Sequence, residues 1–357
     1  MAEHAKLSPS AADRWMICPG SVHLIDVRNI TSKGGEAANR GTAIHTLSEK
    51  ALKGNVPCIG FLGTKLDGIK ITEEMANIAQ IYVDYVKAAS GDKFYEQKVS
   101  VDELITDCWG TADTIVCRPG KLTVADLKSG VGFRIEAVDN RQLLIYALGA
   151  YFKYDWIYDF KEITMVIIQP PLDNISTWTI TLDELMQFKQ DLLDAKERID
   201  NQKDLFVMTP KGCQWCPAKF VCPSHLEIAN QAAAIDFKSK IPDDLSYWLE
   251  RLPILKGFIS SVEEVAYEKL VGGAVIDGFA LGKPARRRSW TDEDEVIDFV
   301  QSHGLTSTFI KEVLISPAQM DKLTLNPSMQ DQLKEFVTYV ESKQPIVKKD
   351  SAKSDFK

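Results

Sequence analysis

Four of the seven cysteines set the strongest constraint on this fold. Cys18 stands near the start, and Cys213, Cys216 and Cys222 follow nearly 200 residues later. The downstream three have the Cys-x-x-Cys spacing of a thiolate metal site, with a third cysteine a few residues on. A soft metal gathering all four would close a long loop and hold the first helix against the segment after the intervening core. Tetrahedral thiolate suits both Zn2+ and a four-iron cluster, so the spacing leaves the two open. Between the cysteines lie His45, Asp113, Asp126-Leu127-Lys128 and Gln142. Oxygen ligands and one imidazole suit a harder divalent cation. Soft donors outside and hard donors inside imply one fold with two metal centres.

At 357 residues the chain can bury a substantial core, as one large domain or two of ordinary size. Residues 1–15 have no apolar run after a basic segment. No stretch approaches the roughly 20 apolar residues that cross a bilayer, so a cytoplasmic protein without a membrane partner is expected. In a reducing compartment the cysteines are thiols and metal ligands rather than disulfides, and Cys58, Cys108 and Cys117, which lack ligand spacing, read as core thiols. The net charge of -8 excludes bulk attraction to nucleic acid but not a local basic groove. Arg286-Arg287-Arg288 is the densest basic run; it reads either as a solvated face or, with Trp290 to stack on a base, as a DNA contact. Lys348, Lys349 and Lys353 read as a solvated tail.

Ser8-Pro9 starts a short helix that carries Trp15 and delivers Cys18 to its end. Apolar periodicity predicts helices over 36–52 and 72–88 and strands over 94–101, 109–117 and 121–127. Pro119-Gly120 makes the last two strands a hairpin. A helix over 137–154, strands over 162–169 and 177–180, and a helix over 182–201 complete an α/β pattern around a mixed sheet. Residues 226–275 read as mostly helical, with Leu245, Trp248, Leu249, Leu252 and Leu255 at core spacing. Val275 to Leu281 could form a strand, Thr291 and Ser316-Pro317 begin further helices, and 346–357 read as an unstructured polar tail.

The chemistry concentrates between residues 40 and 150. Asp126 and Lys128 are two apart on a strand and therefore share a face. Burying that pair is costly, and by itself it reads as a salt bridge at a sheet rim. Asp113, on the partner strand of the hairpin, allows two carboxylates to converge on one Mg2+ or Mn2+ ion. Such an ion polarises a phosphodiester, and Lys128 stabilises developing negative charge. His45 could add a ligand from the preceding helix, although a lone helical histidine is more often structural. Gln142 and Tyr146, four apart on a helix, share a face and can hydrogen-bond a phosphate or base.

The ordered set Gly41-x-x-x-His45, Gly110-x-x-Asp113, Asp126-x-Lys128 and Gln142-x-x-x-Tyr146 resembles the RecB-like branch of the PD-(D/E)XK nuclease superfamily. The cysteines resemble those of its iron-sulfur members, such as AddB and the CRISPR adaptation nucleases, and the layout is similar to phage and prophage proteins of this type. The resemblance covers residues 8 to about 225. It implies a restriction-endonuclease-like α/β core, a central mixed sheet flanked by helices. It also implies His45, Asp113 and Asp126 as ligands of Mg2+ or Mn2+, Lys128 as the catalytic lysine beside catalytic Asp113 and Asp126, and Gln142 and Tyr146 on the substrate side. Cys18, Cys213, Cys216 and Cys222 would bind a 4Fe-4S cluster, with structural Zn2+ as the alternative.

The expected domains are a nuclease domain over 1–225, a mainly helical region over 226–345 and the tail over 346–357. The expected activity is metal-dependent DNA hydrolysis, as an exonuclease in phage replication or recombination, within the bacterial host cytoplasm and alongside phage recombination or replication proteins. The alternative is a nuclease-derived DNA-binding or recombination scaffold without turnover.

Overall fold

The computed structural model describes residues 5–30, 35–234, 245–306, 314–320, 323, 325–341, 344 and 346–348. They form two compact units, Met1–Ser261 and Val262–Lys357. The division falls after the end of the shared motifs near residue 225. No helix among the described residues is long and apolar enough to cross a membrane.

The first unit starts with a 3-10 turn at Pro9–Ala11, followed by α1 (Ala12–Trp15) and α2 (Pro19–Val27). The long helix α3 (Glu36–Gly54) precedes a two-strand hairpin, β1 (Lys65–Leu66) and β2 (Ile69–Lys70), and then α4 (Glu73–Ala88). Thr72 caps α4, its hydroxyl accepting from the Met75 N–H. The central sheet runs β3 (Asp92–Ser100), β4 (Trp109–Arg118), β5 (Lys121–Leu127), β6 (Glu162–Gln169) and β7 (Asn174–Thr181), in that order across the sheet. Only β5 and β6 are parallel neighbours. A parallel pair needs a crossover, and α5 (Arg141–Tyr158) supplies it. α6 (Leu182–Asn201) follows β7 directly, its start fixed by a capping box between Thr181 and Glu184.

Alternation along β5 splits the core in two. Leu122 and Val124 pack with Leu143, Ala147 and Leu185 of α5 and α6, whereas Ala125 and Leu127 pack with Leu47, Ile78 and Tyr82 of α3 and α4. Helices thus cover both sheet faces, the architecture expected for an α/β domain. Gly120, at φ +77, takes the left-handed conformation that the β4–β5 turn requires. Cys58, Cys108 and Cys117 are buried core thiols, as expected.

Several expectations shift. The crossover helix starts at Arg141 rather than 137, because Asn140 caps it by accepting from the Leu143 N–H. The strand expected over 177–180 extends to Asn174–Thr181, paired with β6 along its whole length. Beyond α7 (Pro210–Gln214) and α8 (Pro223–Ala233), α9 (Leu245–Val271) does not bury the face expected to be core. Leu245, Leu249 and Leu252 are exposed, and Ile254 is the buried residue. Helical periodicity marks an apolar face but not what covers it.

The second unit combines helices with short paired strands. β8 (Phe279–Leu281) pairs with Ile346–Lys348, and β9 (Arg286–Trp290) pairs with Val337–Glu341. α10 (Glu293–Ser302) and short helices at Pro317–Met320 and Pro327–Glu335 lie between these strands in sequence. Strands of three to five residues paired over long separations carry little periodicity of their own. Trp290 cannot stack on a base: it is buried with Val296, Val300, Met320 and Leu333, and its indole N–H donates to the Ile315 carbonyl at 2.7 Å. The expected tail has its first three residues in a strand, and Lys349 and Lys353 lie outside the described residues.

Candidate metal centres

The β4–β5 register pairs Thr114 with Ala125, which puts Asp113 and Asp126 at the next facing position. Asp126 is buried, with Oδ2 2.8 Å from the Lys128 Nζ. That close ion pair is what compensates the buried Oδ2. A carboxylate desolvated this far needs a compensating cation, and the Lys128 ammonium supplies it. Asp113 contacts the His45 Nδ1 through Oδ1 at 3.2 Å, and its Oδ2 accepts from the Leu127 N–H at 2.7 Å. α3 thus delivers His45 to the carboxylate on β4.

Gln142 joins the remaining groups. Its Oε1 accepts from Lys128 Nζ at 3.1 Å, and its Nε2 donates to Asp126 Oδ1 at 3.1 Å and to the Tyr146 hydroxyl at 3.2 Å. Gly110 makes room for this arrangement, since a Cβ there would come within 2.9 Å of Tyr146 Cε1. The six residues expected from the motifs form two contact groups, His45 with Asp113 and Asp126 with Lys128, Gln142 and Tyr146, joined where Asp113 accepts from the Leu127 N–H.

Glu96 is a further member that the sequence did not reveal. One oxygen of Glu96, one nitrogen of His45 and one oxygen of Asp113 lie within 4.8 Å of one another, a donor set suited to a hard divalent cation. Glu96 is in the left-handed region at φ 48, inside a strand whose ladder pairs Tyr95 with Thr114 and Gln97 with Ala112. A left-handed glutamate within a strand has no sequence signature.

The electrostatics follow from this crowding. Burial, reinforced by Asp113, pushes Glu96 up to about 7. For His45, burial opposes the charge, but the Asp113 carboxylate outweighs it and raises the pKa to about 9. Burial raises Asp126 above the usual carboxylate range, opposed by Lys128 and reinforced by Asp113. Asp113 is also desolvated, yet His45 and the Leu127 amide hold it below its usual value. Burial works against the Lys128 ammonium, and Asp126 and Asp113 more than restore it, so it stays charged. The Tyr146 phenol, raised by burial and by Asp126, stays neutral.

The four spaced cysteines lie apart from this group, around a separate cavity. Cys18, Cys213, Cys216 and Cys222 line one small cavity together with Arg14 and His225. Cys18 sits between α1 and α2, and its sulfur accepts from the Val207 N–H at 3.4 Å. Cys213 is on α7, and Cys222 directly precedes α8. Asp13 on α1 holds Arg141 of α5 at 2.7 Å and Lys211 of α7 at 2.8 Å, tying the ends of the long loop to the core. Burial pushes the Cys213 thiol up to about 11 and raises Cys216 and Cys222 as well, so without a metal these sulfurs are thiols at neutral pH. Trp215, exposed in the same loop, stacks on Phe133 from the segment after Lys128.

A family model described as "Protein of unknown function (DUF2800)" matches residues 4–354. Among solved structures, one titled "Crystal structure of SSO0001" aligns with a TM-score of 0.32 and 15% identity, covering 63% of this chain and 88% of that chain.

Proposed function

This chain belongs to the DUF2800 family, and we propose that it is a divalent-metal-dependent DNA nuclease with a RecB-like PD-(D/E)XK core. The observation that carries the reading is the convergence of His45, Glu96 and Asp113 ligand atoms within 4.8 Å, beside a buried Asp126–Lys128 ion pair that Gln142 bridges. His45, Asp113 and Glu96, whose ligand atoms converge within 4.8 Å, would hold Mg2+ or Mn2+, with Asp126 as the further carboxylate that the resemblance implies. When bound, the ion supplies Lewis-acid polarisation and a lower pKa for the attacking water.

The chain's own groups do the rest. Lys128, kept charged by two carboxylates, stabilises negative charge developing on the scissile phosphate. Gln142 fixes the positions of Lys128 and Asp126 with opposite ends of one amide, and Tyr146 holds Gln142 in turn. The resemblance of the layout to phage and prophage proteins of this type is the ground for proposing an exonuclease acting in replication or recombination. The cysteine cavity supports a metal clip, and the resemblance favours 4Fe-4S over Zn2+ there. Incubating the protein with end-labelled single- and double-stranded DNA, with and without Mg2+ or Mn2+, tests the proposal. DNA binding without cleavage under every condition would instead support a scaffold role.

A further inference from the structure

His225 follows Cys222 by three residues, near the start of α8. Its side chain is 2% exposed, and neither ring nitrogen has a hydrogen-bond partner. An imidazole buried in that state is costly, because each polar atom loses water and gains nothing in return. It borders the cavity that the four cysteines line. Arg14, on the same cavity, lies close enough to Cys216 and Cys18 to interact with their charge. The cavity thus combines four sulfurs, one cation and one unpartnered imidazole.

We propose that His225 is a positioning residue of the cysteine centre, its ring N–H donated to sulfur once metal is bound. This rests on the reading of the four cysteines as a metal site. Four thiolates complete the donor set of either a zinc ion or a four-iron cluster, which leaves the imidazole an outer role rather than a ligand's place. Outer partners of this kind orient the ligands and tune the metal. Together with Arg14, His225 would offset the negative charge that four thiolates bring into a buried site.

The test compares the full-length parent with His225→Phe, which keeps a buried ring without an N–H, and His225→Gln, which keeps an N–H donor. Iron and zinc content, the rate of metal loss to a chelator and, for iron, the reduction potential are measured on each. His225→Phe should lose metal affinity by roughly 10- to 100-fold and, with iron, show a lower potential, while His225→Gln recovers part of both. Chelator resistance and potential equal to the parent's in His225→Phe would overturn the role of His225 and leave the metal site standing. A parent that takes up neither iron nor zinc would overturn the cysteine site itself, and His225's role with it. If His225→Phe does not fold, parent-like chelator resistance and potential in His225→Leu would overturn the proposal equally.

Discussion

Glu96 faces Asp113 across the β3–β4 ladder, and ligand atoms of the two carboxylates lie within 4.8 Å of each other. Desolvation, reinforced by repulsion from Asp113, raises the Glu96 pKa to about 7. A divalent cation turns that repulsion into chelation.

Glu96→Gln should therefore act in opposite directions with and without cation. The raised folded-state pKa costs nothing below about pH 4.5 and costs most above pH 7, where Glu96 is forced to ionise. Without cation the variant should unfold at a higher temperature than the parent at pH 8 and at the same temperature near pH 4. With Mn2+ the parent should gain more stability, and the variant should need roughly tenfold more ion for half-maximal effect. Thermal unfolding across pH with and without Mn2+ reads both signs, and equal ion requirements would remove Glu96 from the site.

The cation requirement should also rise as pH falls. His45, with its pKa at about 9, and Glu96, at about 7, must both lose protons to ligate. The ion concentration for half-maximal binding should fall steadily from pH 6 to pH 9, and His45→Ala should flatten the upper part of that curve. A parent titration independent of pH would contradict the ligand assignment.

Gln142→Leu keeps the volume but releases Lys128 and Asp126 from their shared partner. Turnover should fall about 10- to 100-fold with DNA affinity little changed, because the loss is one of positioning. Single-turnover kinetics beside a binding titration distinguish this from loss of substrate contact, which would weaken binding instead.

How much of this was legible in the sequence depended on the kind of signal. Asp113 and Asp126 could be placed opposite each other because Pro119-Gly120 fixes a hairpin and alternation fixes the face. The cysteines were legible through spacing, and their cavity brings together those four and none of the other three. Glu96 was not, since its place depends on strand register and a left-handed backbone that nothing local encodes. His225 was missed because an isolated histidine becomes informative only when its surroundings are known. Trp290 misled because an aromatic residue beside arginines looks the same whether it faces solvent or a core.

The cysteine centre should hold about four irons per chain and give a brown protein with broad visible absorption. Cys213→Ser should lose the metal and about 2 kcal/mol or more of stability, since binding energy at such a clip is folding energy. Elemental analysis with thermal unfolding checks both. Colourless protein with stoichiometric zinc would replace the cluster with a zinc clip.

Arg286 and Arg287 are exposed on β9, while Trp290 is committed to the core. If this run contacts DNA, replacing Arg286, Arg287 and Arg288 with alanine should weaken binding and reduce the salt slope by about one unit for each lost phosphate contact. Affinity measured over a range of salt concentrations gives that slope, and identical slopes would make the run a solvated face.

The most direct test of the central claim is cleavage of end-labelled DNA by the parent and by Asp126→Ala, each with EDTA, Mg2+ and Mn2+. Asp126 is buried, pairs with the Lys128 ammonium and accepts from Gln142. The parent should cut only with a divalent ion, and Asp126→Ala should lose at least about 1000-fold in rate while still binding DNA. Cleavage by Asp126→Ala at the parent's rate, or no cleavage by the parent with either ion, would contradict the account.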